Sequence, residues 1–313
     1  GQMVPCPACQ AVTVETESPA RHCGTQKRCK GMTPWCRTPD LQMGYKQSMP
    51  IQAESAPITS EATPQAHSRH LPLAGTTNFR DLGGYQGLDG RTVRWRKLFR
   101  SDHLALLSPE SQLQLLRELG VARSADFRGQ REQTVDHYAI DGLQHHSLAI
   151  EPTLVQRAFS LMQQGQRLTP DHTVVLMQDT YRSFIHDNAA PFAQFFEMLL
   201  DSDAPIVFHC TAGKDRTGWA ATLLLTTLGV PQDVVLQDYL LTNDYSPRPA
   251  EAVAAAAHIP EEVLQVLWRV QEPFLTAAIE PVLQDYGSIP NYVEKVLGVD
   301  AKAQQKLAQM YLE

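Results

Sequence analysis

A ten-residue segment, residues 209–218, constrains the fold of this chain more than any other part of it. Its sequence is HCTAGKDRTG, preceded by a short apolar run at residues 204–209 (APIVFH) and followed by residues 219–228 (WAATLLLTTL). The first run is typical of a buried strand and the second of a buried helix. A tight loop between such elements directs backbone N–H groups and a helix dipole toward one point. The sequence therefore predicts an anion-binding loop.

The residues upstream of this loop alternate between strand and helix patterns. Residues 92–100 (TVRWRKLFR) and 121–127 (VARSADF) are typical of strands. Between them, Ser108 and Pro109 suit the N-cap and the first position of a helix. This helix would end at Gly120, and its apolar residues would be Leu113, Leu116 and Leu119. Alternation of this kind predicts an α/β fold.

The loop combines a cysteine and an arginine at a spacing that suits phosphate. Five residues separate Cys210 from Arg216, so the loop can curl until the sulfur lies below a ring of N–H donors with the guanidinium at the rim. The predicted phosphate-binding residues are Thr211, Ala212, Gly213, Lys214, Asp215 and Arg216. We expect residues 78–84, which include a Gly pair, to form hydrogen bonds beneath this pocket.

Cys210 is the predicted nucleophile. Free thiols titrate near pH 8.5, and helix N-termini and nearby cations lower this to about 3.5–7.5, so we expect a thiolate at neutral pH. The thiolate would attack phosphorus in line, and water would hydrolyse the cysteinyl phosphate. Arg216 would bind equatorial oxygens, Thr217 would hydrogen-bond the leaving sulfur, and His209 would orient Cys210. Because Arg216 and the N–H ring balance the phosphate charge, this chemistry requires no metal and no cofactor.

The loop resembles the signature of Cys-dependent phosphatases. Its Lys-Asp pair before Arg is similar to that of the atypical bacterial tyrosine phosphatase B family. Further blocks resemble that family in the same order: residues 76–85 (TTNFRDLGGY), 98–101 (LFRS), 125–128 (ADFR), 181–184 (YRSF), and 286–288 (YGS) with 297–298 (LG). The resemblance covers about residues 73–313 and leaves the residues before them unexplained.

The resemblance implies one catalytic domain, residues 73–313, with the α/β fold of Cys-dependent phosphatases. Its sheet would be central and largely parallel, with helices on both sides and a helical lid within residues 231–274. The implied activity is that of a protein-tyrosine phosphatase, which in this family extends to phosphoserine, phosphothreonine or phosphoinositides. The expected substrate is a phosphotyrosine protein or a phosphoinositide. Lys214 suits a highly charged headgroup and also a phosphopeptide.

Two aspartates are candidates for the general acid that protonates the leaving oxygen. Asp215 lies in the loop, where the resemblance places the acid of the family, and Asp126 lies in the ADFR block. The Trp-Pro-Asp tripeptide that supplies the acid in common tyrosine phosphatases is absent from the sequence. Structural roles stay open for both residues: an ion pair of Asp215 with Lys214 or a neighbouring arginine, and a bond of Asp126, at a strand end, with the loop or with Arg128.

Residues 1–72 differ in composition from the rest of the chain. They hold five of the six cysteines and nine of the 21 prolines. Residues 49–72 lack apolar periodicity, so we expect residues 1–72 to be a disordered tail and linker. A structural zinc site is the alternative for Cys6, Cys9, His22, Cys23, Cys29 and Cys36, although their spacing is irregular and includes no second CxxC.

Charge and hydropathy exclude several classes of protein. Residues 73–313 carry 20 Lys/Arg against 29 Asp/Glu, so nucleic acid and anionic membranes are not expected partners. The sequence holds no run of 18 apolar residues and no secretory signal pattern. These observations predict no membrane span and a cytoplasmic location, with secretion by a non-Sec route left open. The oligomeric state is left open as well.

Two other functions are alternatives to the phosphatase. A phosphate-recognising adaptor, or pseudophosphatase, would use the same fold, but Cys210, Arg216 and Thr217 are all present. Sulfur transfer or arsenate reduction on a similar loop is disfavoured, because the resemblance extends far beyond the loop and no resolving cysteine lies near Cys210 in sequence. The prediction is therefore a metal-independent phosphomonoester hydrolase.

Overall fold

Five short strands form one mixed sheet in the described part of the chain. The computed structural model describes residues 67–152, 167–248 and 259–313. The strands are β1 (Arg80–Asp81), β2 (Leu98–Ser101), β3 (Arg123–Asp126), β4 (Gln144–Ser147) and β5 (Ile206–His209). Their order is β1-β2-β5-β3-β4, with β1 antiparallel to β2 and every other neighbouring pair parallel. The prediction of an α/β fold with a largely parallel sheet is confirmed.

The register of the three central strands brings their carboxyl ends to one edge of the sheet. His209, the last residue of β5, lies opposite Ser101 of β2 and Asp126 of β3. In parallel α/β sheets, the loops that leave this edge form the usual ligand site. The loop that begins at Cys210 therefore emerges between the ends of β2 and β3.

Helices cover both faces of the sheet. They are α1 (Pro109–Leu113), α2 (Gln130–Val135), α3 (Pro170–Ser183), α4 (Ala189–Asp201), α5 (Asp215–Thr227), α6 (Gln232–Leu240), α7 (Thr242–Tyr245), α8 (Glu261–Trp268), α9 (Glu272–Tyr286), α10 (Ile289–Lys295) and α11 (Ala301–Tyr311). Within the described ranges, no helix is long and apolar enough to cross a membrane. Helices α6, α7 and α8 lie in the range expected for a lid. Residues 249–258 of that range lie outside the described residues, so the lid stays a prediction.

Alternate residues of the central strand pack into two hydrophobic clusters. Val207 belongs to a cluster with Leu115 and Leu119, whereas Phe208 belongs to the larger cluster on the opposite face. In the larger cluster the ring centroids of Phe195 on α4 and Phe208 lie 4.9 Å apart. Helix α5 is buried there along most of its length, with Trp219, Leu223, Leu224 and Leu225 at 0% exposure. The prediction of a buried helix after the loop is confirmed.

The predicted strand at residues 92–100 is longer than the observed β2, which begins at Leu98. The chain turns at Arg96, which has a φ of +62°, a left-handed conformation that a strand does not contain. The Arg96 N–H donates to Asp81 Oδ2 at 2.9 Å instead of to a sheet neighbour. A local sequence pattern does not predict this hydrogen bond, because its acceptor lies 15 residues upstream.

The helix predicted after Ser108 starts as expected and then changes its periodicity. Ser108 caps α1 by accepting from Ser111 N, and Pro109 is its first residue. Residues 114–118 continue as a π-helical turn, which shifts the inward face by one position. Leu115 is therefore buried and Leu113 is 51% exposed, so the predicted apolar face was wrong in its N-terminal half.

The predicted tail, residues 1–72, lies almost entirely outside the described residues, which begin at His67. The zinc alternative for its cysteines lies outside them too. Arg69 packs against the domain, with its guanidinium carbon 3.6 Å from the centroid of the Tyr85 ring. It also donates to Asp81 O at 2.7 Å and to Gly83 O at 2.8 Å. The contacts of Arg69 with residues 81–85 thus begin before residue 73.

Candidate active site

The loop between β5 and α5, residues 210–214, curls tightly at Gly213. This glycine has a φ of +66°, and a Cβ atom at its position would lie 2.3 Å from Ser101 O. A side chain is thus excluded both by the backbone conformation and by contact with the end of β2. Gly213 brings the loop down against the neighbouring strand, as an anion-binding turn requires.

Cys210 lies at the floor of this loop. The residue is 2% exposed, and its thiol is free. Thr217 Oγ1, one turn into α5, is buried and makes no hydrogen bond within the described residues. The expected bond from Thr217 to the departing sulfur stays a prediction, and its hydroxyl is not committed to another described group.

Glu132 holds the guanidinium of Arg216 at the rim of the loop. Arg216 donates from Nη1 to Glu132 Oε2 at 2.6 Å and from Nη2 to Oε1 at 3.0 Å, and Nη1 also donates to Ile150 O at 3.0 Å. The Thr211 hydroxyl donates to the same carboxylate, and so does Gly129 N, at 2.7 Å. Glu132 thus ties Thr211 and Arg216 to the start of α2.

The contact between Glu132 and Arg216 favours the ionised form of both side chains. Burial alone would raise the pKa of Glu132, but the hydrogen bond and charge of Arg216 lower it below its ordinary value. Burial alone would lower the pKa of Arg216, but the electrostatic interaction with Cys210 and the hydrogen bond and charge of Glu132 raise it above its ordinary value. Sequence reasoning missed Glu132. The signal that could have found it is its place six residues after Asp126, at the third position of a short helix after Gly129.

Asp215 is the first residue of α5 and lies between a lysine and a tyrosine. Its Oδ1 accepts from the Tyr181 hydroxyl at 3.0 Å, and its Oδ2 lies 3.3 Å from Lys214 Nζ. Lys214 Nζ also donates to Leu267 O at 2.6 Å, next to the end of α8. The Asp215 side chain is 21% exposed. Its carboxylate is ion-paired, as the structural alternative expects, and remains accessible.

Asp126 is placed differently, at the buried end of β3. It is 0% exposed, and Arg128 donates to it from Nε at 3.0 Å and from Nη2 at 2.8 Å. His145 Nε2 lies 3.3 Å from Oδ2. Burial alone would raise the pKa of Asp126, but the hydrogen bonds from His145 and Arg128 lower it well below its ordinary value. The bond with Arg128 that the sequence left open is present.

His209 lies under the loop as a buried, neutral side chain. Burial is the main cause that lowers its pKa to about 4. Its Nε2 is 2.7 Å from the Tyr138 hydroxyl, and its Nδ1 is 3.4 Å from Cys210 O. These contacts fit a residue that orients the backbone of Cys210 and does not exchange protons with substrate.

The underside of the loop is held by side chains from β2 and from the residues just before β1. Asn78 Nδ2 donates to Ala212 O and Gly213 O, each at 3.1 Å, which confirms the expected hydrogen bonds beneath the pocket. Arg100 donates to Gly213 O at 2.9 Å and to Asp238 Oδ2 at 2.7 Å. Sequence reasoning missed Arg100, although it lies in the LFRS block.

Asp238 on α6 joins two buried arginines. Its Oδ1 accepts from Arg80 Nε at 3.1 Å, and its Oδ2 accepts from Arg100. Burial alone would raise the pKa of Asp238, but the two guanidinium charges lower it to about 2. Burial and the charge of Arg100 lower the pKa of Arg80 to about 10. The cluster links α6 to the loop through charged groups that are 1% exposed or less.

A cleft of about 360 Å³ adjoins the loop. Thr211 and Ala212 form its floor, and Asp102 at the end of β2 forms one wall. Asp102 accepts from Thr77 N at 3.0 Å and from Asn78 N at 3.1 Å. The remaining lining comes from Gly75, Thr76, Thr77, His103, Leu106, Ser246, Pro247 and Trp268. The cleft beside Thr211 and Ala212 is therefore partly apolar.

The chain is similar to several known proteins. A protein of Cupriavidus necator named "Putative tyrosine-protein phosphatase" is 33% identical over 255 residues, which cover 80% of this chain and 92% of the relative. The triple specificity protein phosphatase PtpB of Mycobacterium tuberculosis is 29% identical over 266 residues, covering 72% of this chain and 92% of that protein. Among solved structures, P. aeruginosa TpbA in complex with phosphotyrosine matches 60% of this chain and 89% of its own, with 14% identity and a TM-score of 0.28.

The family match extends over nearly all of the described domain. The model of the tyrosine phosphatase family matches residues 71–313, a range that includes Cys210, Arg216, Asp215 and Glu132. The range starts two residues before the boundary expected from the sequence. On this match and on the relative from Cupriavidus necator, the chain belongs to the tyrosine phosphatase family.

Proposed function

We propose that this protein hydrolyses phosphotyrosine in proteins through a cysteinyl phosphate on Cys210. The observation that carries the proposal is the position of Cys210 at the start of the loop that leads into α5, with Arg216 held beside the loop by both oxygens of Glu132. The helix N-terminus and the loop N–H groups stabilise phosphate charge. The guanidinium can receive the two equatorial oxygens of the transferring group.

The reaction has two balanced steps. In the first, the Cys210 thiolate forms a bond to phosphorus while the bond to the leaving oxygen breaks, and that oxygen takes a proton from the Asp215 carboxyl group. In the second, water attacks phosphorus and gives a proton to the Asp215 carboxylate. The sulfur–phosphorus bond then breaks, and Thr217 donates to the departing thiolate. Inorganic phosphate leaves and the enzyme returns to its starting state.

Asp215 is proposed as the acid in preference to Asp126. The Asp215 side chain is partly exposed beside the loop, whereas Asp126 is fully buried and bound by Arg128. A carboxylate whose pKa is lowered far below neutrality holds no proton to give at physiological pH. The role proposed for Asp126 is to hold Arg128 and the end of β3 in place.

Phosphotyrosine is the proposed substrate because nothing in the described loop requires a second phosphate. Lys214 Nζ, the loop cation that a more highly charged headgroup would use, is bound to Leu267 O and to Asp215. The cleft beside Thr211 is lined by Leu106, Pro247 and Trp268, a surface that suits the aromatic ring and flanking residues of a peptide. Phosphoserine, phosphothreonine and phosphoinositides are the competitors in the test.

A cytoplasmic location is part of the proposal. The mechanism needs a reduced thiol at Cys210, and the thiol is free. Glutathione and thioredoxin systems keep such thiols reduced in the cytosol. A tagged protein that fractionates with periplasmic or extracellular material in its host would contradict this location.

The decisive experiment measures phosphate release by the full chain. Wild-type protein should release phosphate from an aryl phosphate in the presence of EDTA, and Cys210→Ser should abolish this release without changing the thermal unfolding midpoint. A panel of phosphotyrosine, phosphoserine and phosphothreonine peptides and phosphoinositide vesicles should then give the highest kcat/KM for phosphotyrosine. If wild-type protein binds phosphopeptide but releases no phosphate, the adaptor function replaces the phosphatase.

A further inference from the structure

Two buried tyrosine hydroxyls connect helices α3 and α6 to the Asp215 carboxylate. Tyr181 on α3 donates to Asp215 Oδ1 at 3.0 Å. The hydroxyl oxygens of Tyr181 and Tyr239 on α6 lie 2.6 Å apart. The two residues are 0% and 1% exposed. Neither belongs to the phosphate-binding loop, yet together they contact the residue proposed as the general acid.

The hydrogen bonds of this pair have a defined direction. A phenol carries one proton and donates only once. Because Tyr181 donates to Asp215, the short contact with Tyr239 requires that Tyr239 donate to the Tyr181 oxygen. Burial, and then the charge of Asp215, raises the pKa of both tyrosines well above its ordinary value. Both hydroxyls therefore keep their protons across the range in which an enzyme of this kind is assayed.

The two oxygens of Asp215 have different surroundings. Oδ1 is held by Tyr181, and Oδ2 lies 3.3 Å from Lys214 Nζ. The charged and titratable neighbours are Lys214 and Arg216 from its own segment, Tyr181 from α3 and, behind it, Tyr239 from α6. With Oδ1 bound, the plane of the carboxyl group is fixed. Oδ2 is then the oxygen that can carry a transferable proton.

Helix α6 is closely fitted to the start of α5. A Cβ atom on Gly218 would lie 3.0 Å from ring carbons of Tyr239, so a glycine at this position lets the tyrosine ring lie against the helix. The preceding residue, Asp238, binds Arg100, which donates to Gly213 O. Two consecutive residues of α6 thus reach Gly213 and Asp215, where the loop joins α5, through one intermediary each.

We propose that Tyr181 is a positioning residue for the general acid, that Tyr239 holds Tyr181 in place, and that the pair turns Asp215 Oδ2 toward the leaving oxygen. The proposal rests on the function proposed above, in which Asp215 supplies the proton. Tyr181 acts through Asp215 and needs no contact with substrate.

The test compares two substrates that differ in their need for an acid. Phenyl phosphate has a basic leaving group that needs a proton, whereas 2,4-dinitrophenyl phosphate has a leaving group that departs without one. Tyr181→Phe should lower kcat on phenyl phosphate by about tenfold, which corresponds to the free energy of one hydrogen bond to a charged group. The same variant should lower kcat on 2,4-dinitrophenyl phosphate by less than about twofold. Tyr239→Phe should show the same selectivity with a smaller loss.

A series of aryl phosphates gives a second readout. The decrease of kcat with increasing basicity of the leaving phenol should be steeper in Tyr181→Phe than in wild-type protein, because a misplaced acid leaves more charge on the leaving oxygen. A merely structural defect would lower kcat on every ester by the same factor and leave this dependence unchanged.

Tyr292→Phe is the matched control, because Tyr292 is equally buried and its hydroxyl donates to Ile185 O at 2.6 Å. This variant loses a buried hydrogen bond outside the chain of hydroxyls and should keep the wild-type ratio between the two substrates. The double variant Tyr181→Phe/Asp215→Asn should be no slower than Asp215→Asn, since Tyr181 acts through Asp215.

Two outcomes separate this proposal from the one on which it rests. Equal losses on both substrates in Tyr181→Phe, with a selective loss in Asp215→Asn, overturn the positioning role and leave the acid assignment standing. Absence of a selective loss in Asp215→Asn itself overturns the acid assignment, and the positioning role with it.

Discussion

Glu132 binds both terminal nitrogens of Arg216, at 2.6 and 3.0 Å, and so fixes the plane of the guanidinium beside the phosphate loop. Carboxylate–arginine pairs of this bidentate kind add direction as well as energy. The same carboxylate binds the Thr211 hydroxyl. Thr211, which follows the proposed nucleophile Cys210, and Arg216 are therefore held by one side chain from another part of the chain.

Replacing Glu132 should impair catalysis more than folding. Glu132→Gln keeps the size of the side chain but removes one charge-assisted bond, so kcat/KM on an aryl phosphate should fall by about 10–100-fold, as for a displacement of a catalytic group by about 1 Å. The control is Glu151→Gln, because Glu151 accepts from Gln130 N at 2.8 Å at the start of the same helix. Equal kinetics in the two variants would contradict the role given to Glu132.

Substitution by asparagine should affect the two candidate acids differently. Asp215→Asn should lower kcat on phenyl phosphate by about 100-fold or more and remove the basic limb of the pH profile. Asp126→Asn should retain that limb. Because it breaks a buried pair with Arg128, it should lower the free energy of unfolding by about 3–5 kcal/mol. Kinetics from pH 4 to 9 and urea unfolding distinguish the two residues, and loss of the limb in Asp126→Asn would reverse the assignment.

His209 should make stability depend on pH in the weakly acidic range. Burial lowers its pKa from 6.5 to about 4, so the unfolded chain takes up a proton that the folded protein does not. The stabilisation is complete above pH 6.5 and is lost as the pH falls toward 4. Linkage gives a loss of about 2 kcal/mol between pH 7 and pH 5.

Urea unfolding at pH 7 and pH 5 checks this loss. His209→Asn should reduce the difference in the free energy of unfolding between the two pH values by about 2 kcal/mol. His172→Asn, at an exposed position on α3, should leave the difference unchanged. An undiminished difference in His209→Asn would show that His209 is protonated in the folded protein.

Gly213 and Gly298 form a matched pair for testing the loop. Both have a positive φ, +66° and +75°, but a Cβ atom on Gly213 would meet Ser101 O, whereas one on Gly298 has nothing within 4 Å. Gly298→Ala should cost about 1 kcal/mol of stability from backbone strain and leave activity unchanged. Gly213→Ala should also displace the loop and reduce phosphate release to near the level of Cys210→Ser. Activity within twofold of wild type in Gly213→Ala would refute the tight approach of loop and strand.

Much of the candidate site lies in one continuous segment, so the local sequence pattern was enough to predict it. The buried strand, the loop and the buried helix are adjacent in sequence, and chain connectivity alone places Cys210 before the helix and Arg216 in its first turn. The upstream elements were predicted less well. β2 begins at Leu98 because Arg96 turns the chain toward Asp81, and the π-helical turn after α1 buries Leu115 in place of Leu113. Each difference comes from a contact or a helical register that local periodicity does not encode.

The amino-acid order was enough to predict a nucleophile, a phosphate clamp and two competing acids, since each prediction depends on residue type and on neighbours within a few positions. The choice between Asp215 and Asp126 depends on burial, and burial depends on which elements pack against each strand end. The partners of the loop are distant in sequence. Glu132 lies 84 residues from Arg216, and Arg100 lies 113 residues from Gly213. Tyr181 lies 34 residues from Asp215, and Tyr239 lies 58 residues from Tyr181. Such partners are selected by the folding of the sheet and helices around the loop, because hydrogen bonds and desolvation act through space and not along the chain.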